Sequence, residues 1–581
     1  MTDAVSSFAN RMEKWVIAAK RADFQEIADT FGIDPVTARL IRNRDVVGMD
    51  EIQKYLHGGL SLLPSPWLMK DMEKAVDILE GKIKEGRRIR IIGDYDIDGV
   101  MSSYILEKGL KELGAEADVM IPHRITDGYG INESLILRAA GDKVDTIVTC
   151  DNGIAAAEQT ALAKEKGLTV IVTDHHEVPY VEKEGERREI LPPADAVINL
   201  KQKGCGYPFK LLCGAAVAGR LVSAMYDRFN IDPARKEEFL EYEAIATIGD
   251  VMDLKGDNRI LVKEGLKRLH HTSNYGLQAL IEVNGLTPEQ ITPYHIGFVI
   301  GPCLNASGRL DTARKALELL WAATPEEGRT LAEELKELNE ERKTMTEKGV
   351  EEAAALVEET DLGQDRVLVV YLPKCHESLA GIIAGRLRER YHKPAFVLTG
   401  TDKGAKGSGR SIETYSMYEE LVKVKDLLER FGGHPMAAGI SLKEENVEPF
   451  RRMINEKCML TEEDLLEKVV IDVAMPISYI RKDLIEELEL LEPFGKGNTK
   501  PVFAQKNIRP VNCRVFGKNR NVVKMKLMDE WGNVIDGVYF GEGDEFVRQV
   551  RQKGSIDMVY YPAIDRWQGR ESLQVVVTHF Q

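Results

Sequence analysis

Short apolar runs that end in polar clusters recur through the first half of the chain. RIRIIG (88–93) leads into a carboxylate-rich loop and a helical stretch beginning near Val100. DTIVTCDNG (145–153), LTVIVTDHH (168–176) and ADAVINL (194–200) repeat the pattern. Short apolar strands alternating with helical stretches predict a parallel, doubly wound α/β sheet. Ligands in such sheets sit beyond the carboxyl ends of the strands, where these polar clusters fall. Residues 1–70 read as helical and polar, ending in the turn-rich Leu63-Pro64-Ser65-Pro66. From Glu326 to about Glu358 the chain is strongly charged, with Leu331, Leu335, Leu338, Met345 and Leu356 at helical spacing, which predicts one long helix connecting two lobes. A second α/β unit starts at DRVLVVYL (365–372), continues through SLAGIIAGRLRERY and PAFVLTG, and closes near Leu442. The last stretch has β-like runs with turn signals and little helix after Phe503, which suits a small barrel of the OB type. The expected division is 1–70, 71–310, 311–360, 361–460 and 461–581.

Composition narrows this picture. At 581 residues the chain is long enough for several domains. Its formal net charge of −16 argues against a generally basic surface, though not against a local basic groove. The seven cysteines form no CxxC pair and are odd in number, so reduced thiols are expected rather than a disulfide framework or zinc ribbon. The N-terminus lacks the apolar core of a secretory signal. No stretch reaches the ~18 apolar residues of a membrane span, so a soluble, cytoplasmic protein is expected.

Four acidic clusters carry the candidate chemistry. In Asp94-Tyr95-Asp96-Ile97-Asp98-Gly99 alternate aspartates follow a strand and can aim several carboxylates at one hard cation. A calcium EF-hand would need a glutamate at the twelfth position, which here is Ile105, and a helix rather than a strand before the loop. Asp151 follows the next apolar run. Asp174-His175-His176 stands at the end of the third, where a carboxylate can fix a histidine tautomer. Asp250 ends the apolar run Ala246–Gly249, read as a fourth sheet-type segment. Each cluster alone has a bland reading as a solvated turn. Together they bring five or six ligands to one edge of a sheet, more than one open catalytic ion needs, which favours a two-metal site. Mixed carboxylate and imidazole donors suit Mn²⁺ and also admit Mg²⁺.

Two further segments suggest anion binding. Lys406-Gly407-Ser408-Gly409-Arg410-Ser411 combines small residues, which let backbone N–H groups approach phosphate, with a guanidinium that grips it. From Lys500 to Leu527 there are eight basic residues and no acid, with Phe503 and Phe516 interleaved. Basic grooves with aromatic platforms bind single strands, and Phe503, Lys518 and Arg520 are the candidate contacts.

DYDIDG, CDNG, TDHH and the IGD aspartate resemble the successive motifs of the DHH phosphoesterase superfamily. Pro122-His123-Arg124 leading to Gly128-Tyr129-Gly130, the segment Gly301–Leu310 (GPCLNASGRL) and Gly432–Gly439 (GGHPMAAG) are similar to those of its single-strand-specific 5′→3′ DNA exonuclease branch. The likeness runs from about residue 65 to the end. It implies a parallel DHH domain over 71–310, connecting helices over 311–360, a second α/β domain of the DHHA1 type over 361–460, and an OB-fold domain over 461–581. The additional C-terminal domain of some relatives is not expected here. Glu492–Thr499 (EPFGKGNT) resembles the lead-in to the OB domain, with Thr499 where proline is more usual.

By this resemblance Asp94, Asp96, Asp98, Asp151, His175 and Asp250 would hold two ions, Mn²⁺ or Mg²⁺, with Asp151 bridging them. His176 would face the scissile phosphate. Asp98, Asp151, His175, His176 and Arg309 would form the catalytic set. Ser408, Arg410 and Arg124 would hold the 5′ phosphate, Arg309 and His434 would lie near the scissile phosphate, and Asn305 would join the DNA contacts. The expected activity is 5′→3′ exonucleolysis of single-stranded DNA to mononucleotides, in recombination and repair. Single-strand-binding protein and a helicase are the implied partners, and the two-lobed chain is expected to be self-sufficient as a monomer. Two rival readings are a short-substrate phosphodiesterase, which would need neither this length nor a basic barrel, and a scaffold with decayed ligands, which the intact acids and histidines oppose.

Overall fold

The computed structural model describes residues 13–124, 127–128, 130–183, 186–567 and 569–581. Tyr129 of the expected Gly128-Tyr129-Gly130 motif lies outside them, as does the start of the N-terminal segment. The chain forms two compact units, one of residues 47–341 and 491–500, the other of residues up to Val46, 342–490 and 501–581.

The first unit is built on a five-stranded, all-parallel sheet. Its spatial order is Glu116–Met120, Arg88–Ile92, Thr146–Cys150, Thr169–Asp174, Ala196–Asn199. The chain starts at Arg88–Ile92, crosses to one side, then returns to build outward on the other. The strand order therefore reverses between Arg88–Ile92 and Thr146–Cys150, which makes that crevice the topological switch point. Asp94–Asp98 and Asp151 follow these two strands directly. Every residue of Thr146–Cys150 is buried, as expected where helices cover both faces of a parallel sheet. The helix Ile97–Glu112 is buried almost all round and packs against the helix Gly214–Arg228, rich in small residues. Their crossing is so close that a Cβ on Gly109 would stand 2.6 Å from Val222 Cγ1.

Two expectations are corrected here. Asp250 does not end a strand: Leu240–Gly249 is a helix, and Asp250 is its C-cap. A short apolar run carries no period of its own, so helix and strand cannot be told apart in it. The lead-in segment Leu491–Lys500 folds with this unit rather than with the barrel that follows it in sequence.

The second unit contains a mixed sheet in the order Arg430–His434, Ala437–Leu442, Gly404–Arg410, Ala395–Thr401, Leu368–Tyr371. The helix Ala380–Tyr391 covers one face, while Phe450 and Ile454 pack into the core on the other. A six-stranded sheet of Val473–Ala474, Phe503–Phe516, Val522–Met528, Val534–Phe540, Arg570–Phe580 and Ile556–Trp567 closes into a barrel, because Phe503–Phe516 also pairs with Ile556–Trp567. The barrel carries an eleven-residue helix, Gly543–Lys553, which the sequence reading left out. The chain's beginning is also not purely helical: Glu13–Ile17 is a strand paired in parallel with Glu467–Ile471. The helix Pro325–Glu359 carries the chain from one unit into the other. Among the described residues no helix is long and apolar enough to cross a membrane, and all seven cysteines are free.

Candidate metal centre

The strand Arg88–Ile92 delivers Asp94, and the loop after it turns at once into a helix. Asp96 caps that helix, its Oδ1 accepting from the N–H groups of Asp98 (3.0 Å) and Gly99 (3.1 Å). A Cβ on Gly99 would meet the Asp94 backbone at 2.4–2.7 Å, so only glycine allows this tight turn. Asp98, in the first helical turn, is buried, and both of its oxygens accept backbone N–H donors at 2.7 Å, from Gly214 and Ala215. These belong to the N-terminus of the helix Gly214–Arg228, where partial positive charge favours an anion. Asp151 takes a left-handed backbone, φ 58°, which aspartate tolerates better than most residues. Asn152 fixes that turn: its amide donates to the Ile92 and Cys150 carbonyls, and its Oδ1 accepts from Ile131 N.

The strand Thr169–Asp174 ends in a buried carboxylate. Asp174 accepts from the N–H groups of Ile154, His175 and His176, and from His176 Nδ1 at 2.8 Å. His175 is buried and His176 partly exposed. The Nε2 of His175 lies 3.1 Å from Asp151 Oδ1, 3.5 Å from Asp98 Oδ2 and 3.7 Å from Asp250 Oδ2. Ligands at about 2.0–2.3 Å around one ion stand roughly 3 Å apart. Three clusters of potential donors result: Asp94 with Asp96 and Asp151; Asp98 with His175 and Asp250; and Asp151 with His175 and His176. The structure therefore brings together the six residues expected to hold metal.

Electrostatics shows what this cluster lacks. Burial, then the Asp96 charge, pushes the Asp94 carboxyl well above its usual range. Burial and the Asp98, Asp96 and Asp94 charges do the same to Asp151. Burial, Asp98 and Asp96 raise Asp250 to about 8 against the pull of His176 and Lys496. Burial lowers His175, keeping its imidazole neutral as a ligand must be. His176 goes the other way. Burial opposes its charge, but the Asp174 hydrogen bond and charge prevail and raise it to about 9. Asp94 Oδ1 is buried and accepts no hydrogen bond within the described residues. Crowded carboxylates that resist ionisation, a neutral imidazole and an unsatisfied buried oxygen are a donor set that fits hard divalent cations.

Around this core, Arg124 stacks its guanidinium over Tyr95, 4.7 Å from the ring centroid, and both Arg124 and Arg309 act on the Tyr95 hydroxyl. Asn305 Oδ1 accepts from Ile97 N at 2.9 Å, so this side chain holds the acidic loop in place. Gly308 lets the helix Gly301–Leu310 approach the same loop, since a Cβ there would be 2.2 Å from the Tyr95 carbonyl.

In the other unit, Ser408 and Arg410 share one face of the strand Gly404–Arg410. The glycines of 406–411, expected to let backbone N–H groups approach phosphate, lie within this strand. The strand is central and pairs on both sides, and its glycines admit close neighbours: a Cβ on Gly409 would stand 2.5 Å from the Phe396 ring. The Arg410 guanidinium lies against Gly381, at the start of the helix Ala380–Tyr391. His434 is exposed at the end of the strand Arg430–His434.

The barrel overturns one expected contact outright. Phe503 is fully buried, its ring 6.0 Å from that of Tyr560, and no base can stack on it. Strand alternation with a closed interior turns this position inward. Two exposed rings, Phe516 and Phe540 (46% and 62% exposed), flank the half-buried Val522, with which each pairs across strands in register. Lys518 is exposed beside this row. Arg520 is exposed too but makes a two-bond ion pair with Asp544, and Lys526 pairs with Asp536, so acids distant in sequence offset part of the basic run. The sequence assigns no role to the Asn152 side chain or to the Gly214–Ala215 amides, whereas the tautomer-fixing carboxylate expected beside the histidines is Asp174.

Residues 88–247 match the DHH family, N-terminal domain, residues 364–459 the DHHA1 domain, and residues 471–579 the RecJ OB domain. The chain is 35% identical to the single-stranded-DNA-specific exonuclease RecJ of Bacillus subtilis (strain 168), over 97% of this chain and 70% of that protein. It is 32% identical to the protein of the same name from Escherichia coli (strain K12), over 97% and 99%. Among solved structures it is similar to RecJ in complex with Mn²⁺ from Thermus thermophilus, with a TM-score of 0.83 at 28% identity over 98% and 79% of the two chains. The Mg²⁺ complex from the same source gives 0.77 at 27% identity, over 98% and 78%.

Proposed function

The chain belongs to the RecJ family of the DHH phosphoesterases, a family of metal-dependent nucleases, and we propose that it hydrolyses single-stranded DNA from the 5′ end, releasing 5′-mononucleotides with two divalent ions. The observation that carries this reading is the convergence of Asp98, Asp151 and Asp250 on His175 Nε2 at 3.1–3.7 Å. Asp94, Asp96 and Asp151 would hold one ion and Asp98, His175 and Asp250 the other, with Asp151 shared between them. Mn²⁺ suits this donor set best and Mg²⁺ is admitted. When bound, two such ions supply an activated water and stabilise the attacking and leaving oxygens of an in-line displacement.

The protein's own residues do the rest. His176, with Nδ1 tied to Asp174, keeps its ring charged at neutral pH and offers its Nε2 proton to a phosphate oxygen. Arg309 and Arg124 add guanidinium charge beside the acidic loop. Ser408 and Arg410 take the terminal phosphate, which gives the enzyme its 5′ preference. The Phe516–Val522–Phe540 row with Lys518 receives bases and backbone of the strand. Such an activity supplies single strands for recombination and repair.

The experiment is hydrolysis of single-stranded oligonucleotides labelled at either end, with Mn²⁺, alongside duplex DNA and a dinucleotide. Release of labelled mononucleotide first from the 5′ end, lost in Asp98→Ala and Asp151→Ala, is the expected result. Cleavage confined to the dinucleotide refutes it. Arg410→Glu should erase the preference for a 5′-phosphorylated over a 5′-hydroxyl strand; an unchanged preference removes Arg410 from that role.

A further inference from the structure

The segment Leu491–Lys500 resembles a simple lead-in to the barrel, yet it is built as a rigid finger on the nuclease unit. Gly495 and Asn498 exchange backbone hydrogen bonds of 2.9 and 3.2 Å, which leaves Lys496-Gly497 as the two residues at the tip. The tip presses on the chain just past Asp250: Leu254 N donates to the Lys496 carbonyl at 2.7 Å. A Cβ on Gly495 would stand 2.7 Å from Leu254 Cδ1, and one on Gly497 3.1 Å from Asp253 Cβ. Gly497 also needs its left-handed backbone, φ 73°. Only glycines on either side of Lys496 permit this approach.

The base of the finger is locked from three directions. Asn498 is fully buried; its amide donates to the Leu491 and Pro493 carbonyls, and its Oδ1 accepts from Tyr55 OH at 2.8 Å. Arg259 donates to the Leu491 and Tyr55 carbonyls and lies over the Tyr55 ring. This buried, fully hydrogen-bonded clamp specifies one conformation, and what it displays is an ammonium. Lys496 is more than half exposed and 3.5 Å from Asp253 Oδ1, an exposed pair worth little by itself. Its charge is also felt at Asp250.

We propose that Lys496 belongs to the nuclease site, its ammonium holding a substrate phosphate on the Asp250 side of the metal centre. A lysine suits phosphate as a mobile point charge, and here the stem that carries it is fixed. The proposal rests on the nuclease reading above.

The test is steady-state hydrolysis of a 5′-phosphorylated single strand with Mn²⁺, over a series of salt concentrations, for wild type, Lys496→Ala and Lys496→Arg. One lost charge-assisted contact should raise KM about tenfold in Lys496→Ala. kcat should stay within about threefold, and the salt slope should fall by about 0.7. Lys496→Arg should recover most of the loss, and all three proteins should melt at the same temperature. An active wild type matched by Lys496→Ala in KM and salt slope overturns the proposal alone. So does an arginine variant no better than alanine, accompanied by a lower melting temperature, because the lysine would then only brace the turn. A wild type that cuts no single strand overturns the nuclease reading itself, and this proposal with it.

Discussion

Substituting Gly214 with alanine separates the architecture of the site from the stability of the fold. Gly214 opens a helix, where alanine is intrinsically better than glycine by about 1 kcal/mol. Its Cβ, however, would lie 2.7 Å from Asp151 Cβ, 3.1 Å from Asp151 Cα and 3.1 Å from Asp98 Oδ2. The first of these is well inside van der Waals contact, so something must give by close to an ångström. Asp151 sits on the left-handed turn, pinned by Asn152, and Asp98 is held by the very amide that the substitution displaces. Overpacking of this kind costs about 1–3 kcal/mol, so after the helix gain the net loss of stability is about 0–2 kcal/mol. A shift approaching 1 Å in two ligands should cost roughly 10²-fold in rate. Gly214→Ala is therefore expected to melt within a few degrees of wild type, to bind Mn²⁺ more weakly in a calorimetric titration, and to cut a 5′-labelled strand about a hundredfold more slowly. A folded variant with activity within threefold of wild type and unaltered Mn²⁺ affinity would refute the argument that this glycine sets the spacing of Asp98 and Asp151.

The metal-free protein should lose stability as pH rises. Asp250 and its neighbours have folded pKa values above the unfolded ones, near 8 for Asp250, so the folded state holds the extra protons between about pH 4 and 8 and stability falls across that window. Added Mn²⁺ should accordingly raise the melting temperature more at pH 8 than at pH 5.5, and an equal rise at both would contradict the assignment. Asp174→Asn should lower kcat about 10²-fold and move the alkaline limb of the pH–rate profile to lower pH, because His176 loses the carboxylate that keeps it charged; an unmoved limb excludes His176 as the titrating group. Phe503→Ala should destabilise the barrel by about 3–5 kcal/mol, as a fully buried ring does, measured by denaturant unfolding. Phe516→Ala with Phe540→Ala should instead leave the fold intact and weaken single-strand binding by about 1–3 kcal/mol per base lost, read by fluorescence anisotropy; unchanged binding removes that row from the DNA path.

How much of this was legible in the sequence depended on whether a signal was local. The runs ending at Ile92, Cys150 and Asp174 read as strands because each is short, apolar and bounded by turn chemistry, and their order along the chain was enough to expect a shared carboxyl edge. Which two strands flank the reversal is a property of the assembled sheet and is written in neither strand. Asp250 ends a run of the same apparent kind and proved to be helical, since four or five consecutive apolar residues have no period to read. The charge run 500–527 misled for a related reason. Its acids, Asp536 and Asp544, lie beyond it in sequence and fold back onto it, and whether Phe503 or Phe516 faces solvent depends on strand phase and barrel closure. The Lys496 turn reads as a lead-in to the barrel because nothing in the eight residues Glu492–Thr499 tells which unit they will pack against.

The site is expensive before any ion arrives, and the fold's way of meeting that cost bears on what the site binds. Five carboxylates and an imidazole are gathered around one crevice, and the cations felt there, Arg124 at Asp94 and His176 and Lys496 at Asp250, leave Asp94, Asp151 and Asp250 raised above the usual carboxylate range. What the backbone provides is weaker and more diffuse: the Gly214 and Ala215 amides at a helix N-terminus on Asp98, and the Ile154 amide on Asp174. Such dipoles hold the carboxylates in geometry but carry about half a charge per helix end, far short of neutralising the cluster. A basic side chain in their place would have satisfied the charge permanently and closed the site. Leaving the deficit unfilled makes the crevice one that stabilises small, multiply charged cations in preference to monovalent ions, and that couples their binding to loss of the protons held at Asp94, Asp151 and Asp250.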